Sequence, residues 1–397
     1  MRLCRAHLTG LLAVAALALT ACGSDSPTSA PDGPGDAAPT SETASPGERE
    51  ETASALDNMR DPSFPTPLID PDQVLSGGPP PDGIPPIDEP TFETASEIEW
   101  LSETEPVLSL TVGGETRAYP IQVMTWHEIV NDTVGGVPVA VTYCPLCNSG
   151  VAFEREAAGR LLSFGTSGRL YADNLVMYDR QTETLWPQLT GLASIGVLTG
   201  EQLTAIPMGP VDWASFRDAH PEALVLSRET GFDRPYGKNP YEGYDNPETP
   251  PLFDLPGPLD DRLTVKTRVV GLDLGGEQLA ITRDRLARER VVHLTLGGQD
   301  LVAVHAPGQA SALDDEQIAD GEDIGTVAVF RTTLGNRDLR FESRSEGFVD
   351  TNTGTRWDHL GRGVEGSLAG EQLEAVRFLD TFWFAWVAFH PDTTVQN

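Results

Sequence analysis

Leu110-Thr111-Val112-Gly113-Gly114-Glu115 returns 162 residues later as Leu272-Asp273-Leu274-Gly275-Gly276-Glu277. At the same shift, Thr133-Val134-Gly135-Gly136 answers to Thr295-Leu296-Gly297-Gly298. Further on, at shifts of 170 to 171, Asp179, Trp186 and Gly200-Glu201-Gln202-Leu203 answer to Asp350, Trp357 and Gly370-Glu371-Gln372-Leu373. Trp213 and His220-Pro221 likewise answer to Trp383 and His390-Pro391. A single register with small insertions predicts one unit built twice. Each copy reads as strand, Gly-Gly turn and strand, for example Val107–Val112 and Thr116–Tyr119, because alternating β-branched residues favour a half-buried strand. A helix is expected over Ile121–Val130, then strands at Val137–Thr142, Gly150–Glu156, Leu161–Phe164 and Leu175–Tyr178. Each copy closes in a short helix, Val211–Ala219 or Leu379–Phe389, stopped by His-Pro. The fold class expected is α+β and β-rich: an internally duplicated body of mainly antiparallel strands with short helices.

The 397 residues hold 27 Lys+Arg against 60 Asp+Glu, a net charge of −33. That excess argues against nucleic acid as a partner, since phosphate backbones need clustered cations. Only Lys238 and Lys266 are lysines, and neither is read as a site. Arg2 and Arg5 precede the apolar run Leu8–Thr20, then Leu19-Thr20-Ala21-Cys22. This reads as a signal peptide over 1–21, too short to span a bilayer, with a lipobox whose Cys22 is lipidated. The chain is therefore expected in the bacterial cell envelope, anchored to the membrane by lipid on the extracytoplasmic face. Residues 22–60, rich in Ser, Thr, Pro, Gly and acids, read as a disordered acidic tether. Residues 61–92 read as a proline-rich extended segment. The first repeat is placed at 93–233, a Pro/Tyr-rich connector at 234–260, and the second repeat at 261–397.

With Cys4 removed and Cys22 lipidated, one thiol pair remains, Cys144-Pro145-Leu146-Cys147. The second copy has His305-Ala306-Pro307-Gly308 in that region, and Arg288-Glu289-Arg290 opposite Trp126-His127-Glu128. Chemistry is thus expected in the first copy. Three chemistries fit the pair. As a thiol–disulfide or peroxide-type oxidoreductase, Cys144 is the nucleophile and Cys147 resolves, with His127 as base and Glu128 orienting it. As a metal site, Cys144, Cys147 and His127 hold a Cu or Zn ion for binding or delivery, although no cofactor is certain. As a structural disulfide, the pair staples a turn in a non-catalytic binding module. The pair is placed on a turn between strands, not at the head of a thioredoxin-like helix. The predicted helix sets His127, Glu128 and Asn131 near one face, with Asp132 beside Asn131 one turn on. Tyr171, Asn174, Tyr178, Arg180 and Trp186 are candidates for a substrate groove beside the cysteines, with a small molecule or thiol protein as partner. Gly165-Thr166-Ser167-Gly168 reads as a hairpin turn, and His220 and His390 as helix-end caps. No G-x-S-x-G, H-E-x-x-H or Walker loop is present.

Arg117-Ala118-Tyr119-Pro120, His127-Glu128-Ile129-Val130-Asn131-Asp132, Val141-Thr142-Tyr143-Cys144-Pro145-Leu146-Cys147-Asn148 and Phe164-Gly165-Thr166-Ser167-Gly168 occur in that order. Met177-Tyr178-Asp179-Arg180, Leu185-Trp186-Pro187-Gln188 and Arg234-Pro235-Tyr236-Gly237 follow. Together they resemble the DUF3179 family of exported prokaryotic proteins over roughly residues 90 to 395. The family is a domain of unknown function, so the resemblance implies export and a shared fold but no activity. Ala280-Ile281-Thr282 departs from the Ala-Tyr-Pro pattern expected in the second copy.

Overall fold

The computed structural model describes residues 46–344 and 347–397. The signal peptide, Cys22 and the start of the tether lie outside the described residues. The body is β-rich with several antiparallel sheets and four one- to two-turn helices. In its first half, Met208–Asp212, Pro106–Val112, Glu115–Pro120 and Leu224–Leu226 form a sheet in that order, the last pair parallel. In the second half, Leu379–Phe382, Arg268–Leu274, Glu277–Thr282 and Thr394–Gln396 repeat that order, again with a parallel last pair. A second sheet runs Ile129–Val134, Val137–Cys144, Ser149–Glu154, matched by Val291–Leu296, Gln299–Ala306, Thr326–Arg331.

The Gly-Gly turns explain why glycine occupies these positions. Gly113 and Gly114 have φ of 59° and 85°, and Gly275 and Gly276 have 61° and 82°. Two successive positive φ values make the tight hairpin turn whose twist matches the strands. A Cβ on Gly135 would lie 2.1 Å from the Val112 carbonyl oxygen, so the two turns of the first half nest backbone to backbone.

Helix α1 spans Ile121–His127, α2 Trp213–Ala219, α3 Arg283–Glu289 and α4 Trp383–Phe389. The helix expected to Val130 stops three residues early. Glu128 turns the chain at φ 59°, and Arg290 does the same at 64°. Ile129-Val130 are β-branched and pair with Thr142 and Val141, so sheet packing overrides the helical period. Asn131 and Asp132 therefore sit on a strand, not one helical turn after His127. Val211-Asp212 and Leu379–Phe382 are likewise strand, which shortens both closing helices. Gly165–Gly168 is not a hairpin turn. It is a bulge within the strand Phe164–Tyr171, whose register slips between Thr166 and Arg169.

Residues 46–60 do not behave as a tether. Ala55 is fully buried, Leu56 and Met59 pack beside it, and Arg49 and Glu50 pair with Glu183 and Arg160. These few apolar side chains suffice because the body supplies the other face. Downstream, Leu75–Ser76 adds an edge strand and the Ile87 amide donates to the Ile129 carbonyl. Trp186, Trp213, Trp357, Trp383 and Trp386 are buried. The largest apolar cluster joins both halves, packing Cys144 and Phe164 with Phe382 and Trp383.

Candidate functional site

The cysteines flank a hairpin turn. Cys144 ends the strand Val137–Cys144 and pairs with Ser149, the first residue of the returning strand. Asn148, at φ 51°, closes the turn, and its amide donates to the Pro145 carbonyl at 3.1 Å. The second half fixes the turn from outside: the Thr381 hydroxyl and the Phe382 amide donate to the Cys147 carbonyl at 2.8 and 3.1 Å.

Both cysteines are free thiols, with sulfurs 3.3 Å apart. Their surroundings differ. The Leu175 amide donates to Cys144 Sγ at 3.4 Å. Cys147 Sγ donates to the Asp173 carbonyl at 3.3 Å and accepts from Asn174 Nδ2 at 3.3 Å. Cys144 Sγ thus takes a backbone N–H, while the single proton of the Cys147 thiol is directed to a carbonyl. Burial first, and then the neighbouring Cys144 and Asp173, push the Cys147 thiol well above its ordinary range. The residues are 1% and 0% exposed.

A buried polar shell supports the sulfurs. Asn174 Nδ2 also donates to Gln188 Oε1 at 2.9 Å, and Gln188 Nε2 donates to the Thr142 hydroxyl at 3.0 Å. Asp173 has its carboxyl pushed up to about 7 by burial, against the lowering pull of the Tyr244 hydroxyl and the Leu252 amide. Those two groups donate to its Oδ2 at 3.0 and 3.1 Å, while Oδ1 has no partner. Lys266 is buried, with Nζ 3.9 Å from the Tyr244 ring centroid, and donates to the Tyr244 carbonyl and the Thr249 hydroxyl. Glu128 is held neutral up to about pH 8 by burial alone. The Tyr241 side chain is half-buried and packs on the apolar cluster that holds both cysteines. The connector therefore covers the thiols through Tyr241, Tyr244 and Leu252.

His127 does not join the sulfurs. Its Nδ1 meets the Pro85 carbonyl at 2.7 Å and its Nε2 meets the Tyr236 hydroxyl at 2.6 Å. Burial lowers its pKa, so the ring is neutral at pH 7. A carbonyl only accepts, so Nδ1 carries the proton and Nε2 accepts from Tyr236. The ring ties the connector to the N-terminal segment. Neither ring nitrogen bonds to a sulfur, and no hydrogen bond joins Glu128 to the ring. Among the described residues, no group of three His, Cys, Asp or Glu side chains converges to hold a metal ion.

Of the expected groove, only Asn174 reaches the cysteines. Trp186 is buried and its indole N–H donates to Asp179 at 3.0 Å. Tyr178 donates to Asp82 at 2.8 Å, and Arg180 pairs with Asp82 and Asp88. Tyr171 packs edge-on to Phe389, lining a separate cavity beside Trp383. Sequence reasoning missed Asp173, Gln188, Tyr244 and Lys266. The scarcity of lysine was the one signal that could have drawn attention to Lys266.

Asp132 anchors a second buried cluster. Both its oxygens accept from Arg117 Nη1 at 2.8 Å, and the Tyr119 hydroxyl donates at 2.5 Å. The Arg117 guanidinium also lies 4.4 Å from the Phe92 ring centroid.

A model of the family described as a protein of unknown function, DUF3179, matches residues 81–393, and the chain belongs to that family. No curated protein and no solved structure matches it.

Proposed function

Within a family that carries no assigned activity, we propose that this chain is an extracytoplasmic lipoprotein whose Cys144–Cys147 pair is a thiol–disulfide redox centre. The observation that carries the reading is the unequal hydrogen bonding of two adjacent sulfurs. Cys144 receives the Leu175 N–H and lies 3.3 Å from the other sulfur, the placement of an attacking thiol beside its resolving partner. Cys147 is held protonated, which suits a resolving thiol. The Cys144 thiolate attacks a small disulfide RSSR and releases one thiol. Cys147 then loses its proton and displaces the second. Two protein thiols and RSSR become one protein disulfide and two RSH, so electrons and protons balance. Burial of both sulfurs favours a small molecule over a thiol protein as the partner. Lipidation at Cys22 is part of the same reading and rests on the Leu19–Cys22 sequence. The repeated motifs and matching sheet orders support reading the halves as copies of one unit.

The test titrates the reduced protein with oxidised glutathione, then alkylates under denaturing conditions and weighs the products. The wild type should lose both alkylations together. Cys147→Ser should trap one glutathione on Cys144, and Cys144→Ser should trap none. Two thiols that stay fully reduced, or a pair that strong reductant cannot open, would sink the proposal. Incorporation of a radiolabelled fatty acid, lost in Cys22→Ala, checks the anchor.

A further inference from the structure

Cations are scarce in this chain and acids abundant, 27 against 60, so an arginine withdrawn from water has many carboxylates available to pair with. The buried arginines mostly do so: Arg117 with Asp132, Arg268 with Asp245, Arg283 with Asp380. Arg155 lacks a carboxylate but spends its nitrogens on the carbonyls of Val139, Leu162 and Asp132. Arg377 differs from all of them. Among the described residues it makes no ion pair, its Nε is buried without a partner, and its one hydrogen bond runs from Nη2 to the Leu189 carbonyl at 3.3 Å. Arg377 is half-buried, and leaving its buried Nε without an acceptor carries a cost.

Arg377 lines a cavity of about 520 Å³, between residues 189–205 of the first half and the sheet and helix α4 of the second. The remaining walls are mixed: Leu192, Phe378 and Phe389 supply apolar patches, and Thr190, Gln202 and Gln278 supply polar ones. The His390 ring stacks on Trp386 at 3.8 Å, with burial keeping it neutral, so it brings no charge to the cavity. Asp273, the one acid on the wall, accepts from Gln278 at 3.0 Å and lies 3.5 Å from His390, and it makes no ion pair with Arg377. A cavity of this size, with apolar patches and a cation that lacks an ion pair, has the form of a small-ligand site. The guanidinium supplies a fork for a carboxylate, and the aromatic and leucine walls supply room for an apolar body.

From this geometry we propose that the cavity binds a small organic carboxylate with an apolar body, held by Arg377. This site is separate from the thiols and does not rest on their redox role.

The probe is phenylacetate, with uncharged 2-phenylethanol as the control, titrated calorimetrically into the full chain. Phenylacetate should saturate below about 10 mM, and the alcohol should bind at least tenfold more weakly. Arg377→Gln should cost phenylacetate tenfold or more in affinity. Arg377→Lys should recover part of that loss. Leu192→Trp, which fills the cavity without touching the guanidinium, should abolish binding and guards against an Arg377 variant that fails to fold. A Cys144→Ser, Cys147→Ser protein should bind like the wild type. Equal binding of acid and alcohol, unchanged affinity in Arg377→Gln or Leu192→Trp, or no saturation at all would overturn the proposal.

Discussion

The two halves share sheet order and turns but fill the same positions with opposite chemistry. Arg117, Tyr119 and Asp132 form a buried charged cluster in the first half. The repeat register sets Leu279, Ile281 and Leu294 at those places in the second, all in its apolar core. Where the first half turns tightly through two thiols, the second runs a long excursion between Gln299–Ala306 and Thr326–Arg331. That excursion docks on the connector: the Gly243 amide donates to the Asp314 carbonyl, and Lys238 pairs with Glu316. Sheets of the same strand order thus hold a polar cluster in one half and an apolar one in the other. The polar cluster is a property of the half that carries the thiols.

The largest test replaces one solution with the other. Asp132→Leu alone leaves the buried Tyr119 hydroxyl unpaired and Arg117 with only its half-exposed partner Glu115, and should cost about 3–5 kcal/mol in denaturant unfolding. Adding Arg117→Leu and Tyr119→Ile, the second-half residues, should return most of that loss. If the triple variant is no better than the single one, the halves are not interchangeable at this site.

Next comes pH. The second half has Arg290 where the first has Glu128, at the same turn. Glu128 keeps its proton in the folded chain up to about pH 8, whereas the unfolded chain loses it near 4.5. The folded state therefore holds the extra proton, and stability falls as pH rises from about 4.5 to 8. Asp173 adds the same sign up to about 7. Glu128→Gln should flatten that fall and be about 1–3 kcal/mol more stable than the wild type at pH 8. A variant with an unchanged pH profile would remove Glu128 from the account.

A smaller contrast compares the paired tryptophans. The Trp186 indole donates to Asp179 at 3.0 Å, and the Trp357 indole to Asp350 at 3.4 Å. Trp186→Phe should cost about 1–2 kcal/mol beyond the packing loss, and Trp357→Phe under about 1. Equal costs would mean that the longer bond matters as much. Smallest of all is Arg49→Ala, which removes an ion pair with its arginine side 46% exposed and should shift stability by under about 0.5 kcal/mol.

Local chemistry was legible in the sequence where it decides locally. Gly113-Gly114 and Gly275-Gly276 announce their turns because only glycine adopts successive positive φ cheaply. The thiols' place on a turn followed from the β-branched run before them. The helix end at His127 was not legible, because the pairing of Ile129 with Thr142 is what stops the helix. His127 was assigned to the thiols from proximity in sequence, yet both its nitrogens are taken by Pro85 and Tyr236. Asp173, Tyr244 and Lys266 meet only through the tertiary fold, and no spacing rule joins positions so far apart.

The Cys147 carbonyl, held by Thr381 and Phe382, makes the thiol turn a joint product of both halves. A chain cut within the connector would yield a first fragment bearing both cysteines on an unbraced turn. Supplying the second fragment in trans should restore it, so thiol reactivity becomes a reporter of fragment complementation. The order of the two genes' worth of sequence is then less important to the centre than their physical meeting.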